Sequence, residues 1–232
     1  MIFRRAPALD LPEGVTMKLS ARAKVLRLRV DSRTGGVVLT VPKRVSQSRA
    51  IAWARSQEEW IARARSAVPA TRPIEPGAVI PFRGEQVRIA WEAGHPRTPD
   101  LAEGEVRIGG PREGLDARIL RWLKREALTA LGDDTRLFAA RAGVSVSRVG
   151  VGDTVSRWGS CSSSGAIRYS WRLILAPDWV REATAAHEVA HRIHMHHGPG
   201  FHTLVAELLG RDPAPARLWL RRNGAALHRI GR

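Results

Sequence analysis

The sequence predicts an α+β fold, and three patterns in the chain of 232 residues support this prediction. Short runs in which apolar and polar side chains alternate, typical of half-buried strands, lie mainly in residues 15–112. Longer stretches with apolar residues three or four positions apart, typical of helices, lie mainly in residues 113–232. Hydrophobic residues make up 44% of the chain, which is ample for a buried core. We therefore expect an N-terminal basic α+β region over 15–112 and a C-terminal domain over 113–232.

The N-terminal region begins with a hairpin pattern. Residues 25–30 and 36–41 alternate apolar and polar side chains, and the five residues between them include turn-forming Gly35. Residues 46–68 then show helical spacing of their apolar side chains, and Pro69 ends that helix. Further short strands are predicted at residues 79–82, 86–91 and 105–108. The region is thus expected to contain a hairpin, a helix and a small mixed sheet.

The C-terminal region is predicted to be mainly helical. Apolar side chains recur at helical spacing over residues 116–142, and Gly143 marks the end of that helix. Strand candidates follow at residues 144–151 and 167–175, and the second leads directly into another helix. Two more helices are expected, each closed by a glycine, at residues 204–209 with Gly210 and at residues 215–222 with Gly224.

The helix that follows Pro177 carries the residues with the clearest chemistry. His187 and His191 lie four positions apart, so on a helix both imidazoles share one face, about one turn apart. Two such imidazoles can bind one zinc ion, and the carboxylate of Glu188 between them can accept a proton from water. The spacing therefore predicts a hydrolytic metal site with Glu188 as the catalytic base.

A hydrolytic zinc site needs a third protein ligand. The candidates that follow His191 in the chain are His194, His196, His197, His202 and Glu207. His194 cannot share one zinc with both motif histidines, because it lies roughly 10 Å along the helix axis from His187. The turn at residues 198–200 follows His197 directly, so the chain can fold back and bring this imidazole over the metal. We therefore predict His197 as the third ligand beside His187 and His191, with the last two candidates as alternatives.

Three further motifs give the sequence a resemblance to a known family. They are RWGSCSS at residues 157–163, IRYSWRLILAP at residues 167–177 and HHGPGF at residues 196–201. They lie in this order around residues 187–191, which form an HExxH motif, and RLWLRRNG follows at residues 217–224. With these motifs the sequence resembles the YgjP-like metallopeptidases, bacterial relatives of the SprT-like zinc proteases. The resemblance runs from about residue 15 to the C-terminus.

This resemblance implies a minimal gluzincin-like HExxH metallopeptidase domain in residues 113–232. It implies peptide-bond hydrolysis by a zinc-activated water with Glu188 as general base, and thus a peptide or protein substrate. The zinc ligands that it implies are His187, His191 and His197. The sequence departs from the family at residues 196–198, where the usual Asn-His-Ser is His-His-Gly, and at His202, which replaces a common aromatic residue.

In zinc peptidases of this shape, the strand nearest the site has a free edge to which an extended substrate adds. Residues 167–173 are the candidate for that strand. Trp158 and Trp171 are expected to pack in the core rather than line a cleft. Cys161 is expected to be a small packed residue in a turn, with a reactive thiol as the alternative. Candidates for stabilising the oxyanion are Tyr169, Arg168, His194 and His202.

The chain is strongly basic, with 38 Lys and Arg against 22 Asp and Glu and a formal net charge of +16. Such a field attracts polyanions, so nucleic acid is a predicted partner. In that case the basic residues of the N-terminal region should form one face, namely Arg22, Lys24, Arg27, Arg29, Lys43 and Arg44. The alternative is an arginine-rich composition scattered over the surface without a nucleic-acid partner.

Two alternatives to a peptidase stay open. A metal-dependent hydrolase of nucleotide triphosphates would use the same metal on a substrate that the basic surface attracts. A nucleic-acid-binding module with a structural zinc fits less well, because such a site needs four protein ligands, often cysteines, and Cys161 is the only cysteine. The single cysteine and a first segment without an apolar signal core predict a soluble, cytoplasmic protein with no membrane partner.

Overall fold

The computed structural model describes residues 10–31 and 34–232. The chain divides into two compact units, Met1–Pro69 and Ala70–Arg232. Both contain strands and helices, which confirms the predicted α+β class. The predicted domain boundary between residues 112 and 113 falls within the second unit and stays a prediction. The predicted hairpin turn includes Ser32 and Arg33, which lie outside the described residues.

The first unit is a three-stranded sheet with two short helices. Its elements are β1 (Val15–Ser20), β2 (Arg27–Val30), β3 (Val37–Pro42), α1 (Gln47–Arg55) and α2 (Glu58–Ser66). The central strand β3 pairs antiparallel with β2 and parallel with β1. Alternate residues of β3 are fully buried, and they form one apolar cluster with side chains of both helices. The predicted hairpin is therefore present as β2 and β3.

Two features of the first unit differ from the prediction. The prediction of a single helix over residues 46–68 is wrong, because the first helix ends at Arg55 and a second helix begins at Glu58. Acidic residues in the first turn of α2 stabilise this second start through the helix dipole. Strand β1 was not predicted, since Val15 is its one buried residue and its polarity alternates weakly.

The second unit begins with a four-stranded sheet followed by a long helix. The elements are β4 (Val79–Phe82), β5 (Glu85–Trp91), β6 (Asp100–Ala102), β7 (Glu105–Ile108) and α3 (Leu115–Ala142), and the strand order is β4-β5-β7-β6. The three predicted strands and the long helix are confirmed, and β6 is an addition. Phe82 of β4 stacks on Trp122 of α3 with ring centroids 4.9 Å apart. Gly143 ends α3 in a left-handed conformation with φ 65°.

A three-stranded sheet follows, and it differs from the prediction in one consequential way. Its strands are β8 (Arg148–Gly152), β9 (Gly159–Cys161) and β10 (Ala166–Ser170), in the order β8-β10-β9. The expectation that residues 167–173 offer a free edge is wrong, because β10 is the central strand and pairs on both sides. Among the described strands of this sheet, the outer ones are β8 and β9.

The strand predicted over residues 167–175 is also shorter than expected. It ends at Ser170, and the next residues, Trp171–Leu175, form a buried 3-10 helix. A short apolar run is compatible with either structure, so periodicity alone does not separate them. The strand predicted over residues 144–151 begins later, at Arg148.

Three helices complete the unit: α4 (Asp178–Ala190), α5 (Pro199–Leu209) and α6 (Ala214–Leu227). Gly210 ends α5 with φ 71°, as predicted. Gly224 does not end α6, which corrects the prediction: it lies within the helix where Trp158 packs closely, and a Cβ at this position would lie 2.6 Å from Trp158 Cζ2. In the part of the chain that the structure describes, no helix is long and apolar enough to cross a membrane.

Candidate metal centre

Helix α4 positions the motif residues. Pro177 precedes the helix and Asp178 occupies its first turn, both of which favour a helix start. A buried ion pair between Arg181 Nε and Asp134 Oδ2, 2.7 Å long, attaches α4 to α3. His187 and Glu188 lie in the last turn, and His191 is the residue directly after it, still with helical backbone angles. The predicted one-face arrangement of both motif histidines is therefore present.

The structure brings the three predicted ligands together. His187 Nε2 and His197 Nε2 are 3.2 Å apart, and one potential ligand atom of each of His187, His191 and His197 lies within 4.8 Å of the others. A tetrahedral zinc with bonds near 2.1 Å places its ligand nitrogens about 3.4 Å apart. The three imidazoles can therefore hold one metal ion.

The turn between the helices orients the three histidines. The chain leaves α4 at His191, reverses over the following residues and enters α5 with Gly198 as N-cap and Pro199 in the first turn. His191 Nδ1 lies 3.1 Å from the backbone oxygen of His194 and can donate to it. This bond fixes the tautomer and leaves Nε2 of His191 as its free ligand atom.

Phe201 packs against all three histidines of the cluster, although it is absent from the predicted site residues. Its ring centroid lies 4.8 Å from that of His187, 4.6 Å from His191 and 4.7 Å from His197. The side chain is 1% exposed, so it restricts all three imidazoles at once. The signal in the sequence is a lone aromatic in the first turn of α5, directly after the turn residues.

The protonation of the imidazoles fits metal binding. Burial lowers the pKa of His187 to about 4, and the neighbouring imidazoles of His191 and His197 add to this effect. Burial also lowers the pKa of His191. Neutral imidazole is the form that binds a metal ion. Both motif histidines are therefore ready to act as ligands at neutral pH.

Glu188 is nearly fully buried beside the cluster, with 5% exposure. Burial raises the pKa of its carboxyl to about 7, while the charge of Arg157 acts in the opposite direction. Gly159 of β9 lies against this side chain: a Cβ there would lie 2.6 Å from Glu188 Cγ. A carboxyl group that titrates near neutrality can both accept and release a proton, which is what a general base and acid requires. Gly159 and Arg157 were not predicted as site residues, although both lie in the RWGSCSS motif.

The other candidate ligands lie outside the cluster. The ring centroid of His202 is 6.4 Å from that of His197, and its side chain lines an adjoining pocket. Glu207, His194 and His196 are not among the residues whose potential ligand atoms lie within 4.8 Å of one another. The three-histidine group thus involves none of the alternatives.

Burial changes the interpretation of several predicted neighbours. Tyr169 is fully buried and its hydroxyl lies 2.9 Å from Thr135 Oγ1, so it is wrong as an oxyanion candidate. Trp171 is buried as expected, whereas Trp158 is half-buried and lines the pocket beside His187. Cys161 lies in strand β9 rather than a turn, and burial raises the pKa of its thiol, which argues against a reactive thiolate.

A helix that presents two histidines and a buried glutamate to a third histidine is the arrangement of the HExxH metallohydrolases. A family model described as "YgjP-like, metallopeptidase domain" matches residues 24–223, and the chain belongs to this family. The matched range includes the whole three-histidine cluster and Glu188. Neither the curated proteins nor the solved structures gave a match to the chain.

Proposed function

We propose that this protein is a zinc metallopeptidase that hydrolyses peptide bonds in peptides or proteins. The observation that supports it most is the convergence of His187, His191 and His197 beside the buried carboxylate of Glu188. Membership in a metallopeptidase family supports the reaction class. Three imidazoles that leave one coordination position open suit a catalytic zinc, whereas a structural zinc requires four protein ligands.

The residues of the site divide the chemistry between them. Zinc, when bound by the three imidazoles, supplies a Lewis acid that polarises a carbonyl and brings the pKa of water to about 7. Glu188 accepts the proton of the attacking water and then donates it to the leaving amine. Burial raises the pKa of its carboxyl group, which favours uptake of that proton. Arg157 favours the ionised form of Glu188 and so keeps the base ready for the first step.

Strand β9 is the element of the site that suits an extended substrate. It pairs with β10 on one side, and its residues Gly159, Ser160 and Cys161 line a cavity of 350 Å³ together with all three histidines. An extended peptide added to the outer edge of β9 would place its carbonyls next to Glu188 by backbone hydrogen bonds alone. This edge replaces the one predicted at residues 167–173.

A metal-loaded peptidase assay tests the proposal. The zinc-loaded protein should cleave fluorogenic peptides, and Glu188→Gln should abolish cleavage while zinc stays bound, because glutamine keeps the shape but accepts no proton. Glu207→Gln, an exposed glutamate on α5, is the matched control and should keep full activity. His197→Ala should lose the metal, and His202→Ala should retain it. Turnover of nucleotide triphosphates without any peptide cleavage would favour the alternative hydrolase instead.

We also propose nucleic acid as a partner, and the open face of the first unit's sheet supports this. Arg27 pairs with Thr40, which pairs in turn with Lys18, while Arg29 pairs with Val38. Side chains at paired positions point to the same face, and these three cations are exposed. The remaining predicted cations, Arg22, Lys24, Lys43 and Arg44, are exposed in the turns next to these strands, and Arg44 Nη2 donates to the Lys24 backbone oxygen at 2.9 Å.

A further inference from the structure

A second cavity of 260 Å³ opens directly beside the metal cluster. It shares His187, Glu188, Arg157 and Gly159 with the cavity at the three histidines, so the two cavities are neighbours. Its remaining walls are mainly apolar, and they come from Trp158, Phe201, Val205, Ala216 and Leu220. A substrate atom at the metal cluster therefore has an apolar recess within reach of its neighbouring side chain.

The largest wall of this recess is held in place by its own contacts. The ring of Trp158 stacks on His228 with centroids 5.0 Å apart. On helix α6 it meets Gly224, where any larger residue would collide with the indole. The loop before Trp158 is anchored by Asp153, which accepts from Arg172 Nε at 3.0 Å and from Arg232 Nη2 at 2.6 Å. The recess is therefore formed in advance of substrate binding.

The charges around the recess restrict what it can accept. Arg157 and Arg217 line it and are exposed, and His202 lines it as well. Within the described lining, the one acidic residue is Glu188, which the proposed reaction uses. A lysine or arginine side chain would meet like charges and would lose its hydration against apolar walls. A neutral apolar side chain meets neither penalty.

We infer that this recess binds the side chain of a substrate residue next to the scissile bond and selects bulky apolar residues such as leucine and phenylalanine. The inference rests on the proposed peptidase function. One methylene in an apolar pocket typically changes specificity by about 10–200-fold. Replacing a leucine at this position of the substrate by alanine removes three carbons and should therefore lower kcat/KM at least about tenfold, and replacing it by lysine should lower kcat/KM further.

A matched peptide series tests the inference. The peptides carry Leu, Phe, Ala or Lys at one of the two residues that flank the scissile bond and are otherwise identical. Their kcat/KM values should differ when one of these two positions is varied and stay similar when the other is varied. Leu220→Trp, which fills the recess from α6, should reduce cleavage of the Leu and Phe peptides more than cleavage of the Ala peptide. Leu218→Trp on the exposed side of the same helix is the control and should change neither.

A second variant and a second readout keep the result clear. Leu220→Ala enlarges the recess and should shift the preference from Leu toward Phe, so the inference does not depend on the folding of one variant. Binding of the same peptides to zinc-loaded Glu188→Gln, measured by calorimetry, should follow the same order without turnover. Equal kcat/KM for all four residues at both positions would overturn the inference while leaving the peptidase intact. Cleavage of no peptide would overturn the proposed function, and the inference with it.

Discussion

Gly159 lies against Glu188 in the candidate site, where a Cβ would come within 2.6 Å of Glu188 Cγ. Glu188 is almost fully buried, and the absence of a side chain at Gly159 provides the space for its carboxylate. The position of the proposed base thus depends on a residue that carries no functional group. Spacing in the sequence identifies the glutamate, but it does not show which strand packs on it.

We predict that Gly159→Ala lowers kcat at least tenfold and leaves zinc bound, because the three atoms nearest the new methyl group all belong to Glu188 and none to an imidazole. Peptide turnover and metal content by atomic absorption check this. Gly150→Ala on β8 is the control, since a Cβ there has open space around it. Wild-type turnover in Gly159→Ala would show that Glu188 can relocate or is not the base.

The residue scale also shows what the sequence can predict. The HExxH spacing places His187 and His191 because helical geometry fixes which positions share a face. The turn at residues 198–200 predicts the reversal that brings in His197, because glycine and proline have narrow conformational roles. Phe201 and Arg157 could not be assigned in this way, since their roles depend on contacts between elements that no local pattern encodes.

At the scale of elements, the 3-10 helix at Trp171–Leu175 connects β10 to the metal helix, and its five residues are buried. We predict that Trp171→Ala destabilises the protein by about 3–5 kcal/mol through the cavity it leaves. Trp179→Ala, at a position 38% exposed on α4, should cost much less. Urea unfolding monitored by circular dichroism measures both. Equal losses at the two positions would show that burial of Trp171 does not dominate.

Asp153 connects the loop before β9 to the C-terminal segment. Burial alone raises the pKa of this carboxyl, but the charges and hydrogen bonds of Arg172 and Arg232 outweigh burial and hold the pKa below its usual value. An acid with a lowered pKa in the folded state stabilises the protein above its unfolded pKa, about 3.9, and loses that contribution as the pH falls through the folded value.

We therefore predict that Asp153→Asn is less stable than the wild type at pH 7 and that the difference shrinks toward pH 3. The measurement is the free energy of unfolding in urea at both pH values, compared with Asp100→Asn at an exposed position on β6. A difference that stays constant between pH 7 and pH 3 would contradict the ion pairs as its source.

The order of strands is the main element-level feature that the sequence could not provide. Apolar and polar alternation located β2, β3, β5 and β7, because each is half-buried. The same pattern gives no information on which strand is central. For this reason β10 was expected at an edge, whereas it lies between β8 and β9. Pairing depends on residues distant in the chain, and short strands such as β6 and β9 are too brief for periodicity to detect.

At the scale of the whole molecule, the net charge of +16 predicts an electrostatic partner without giving its location. The structure places exposed cations on the open face of the first unit's sheet. If this face contacts phosphates, each contact releases counterions and binding weakens as salt rises.

We predict that Arg27→Gln with Arg29→Gln weakens binding to DNA or RNA and reduces the slope of log K against log salt by about 2. Arg49→Gln with Arg63→Gln on the helices of the same unit removes the same charge and should leave the slope nearly unchanged. Gel-shift titrations at two or more salt concentrations check this. No retardation of the wild type at low salt would leave a peptidase without a nucleic-acid partner.

The three imidazoles of the metal centre come from eleven consecutive residues, 187–197. Closing so short a loop costs little chain entropy, so an unfolded chain can also gather these histidines around a metal ion. Binding to the unfolded state reduces the stabilisation that a ligand gives to the folded state. Zinc should therefore raise the melting temperature of this protein less than its affinity for the folded protein alone would suggest, and chelation should inactivate the enzyme without unfolding it.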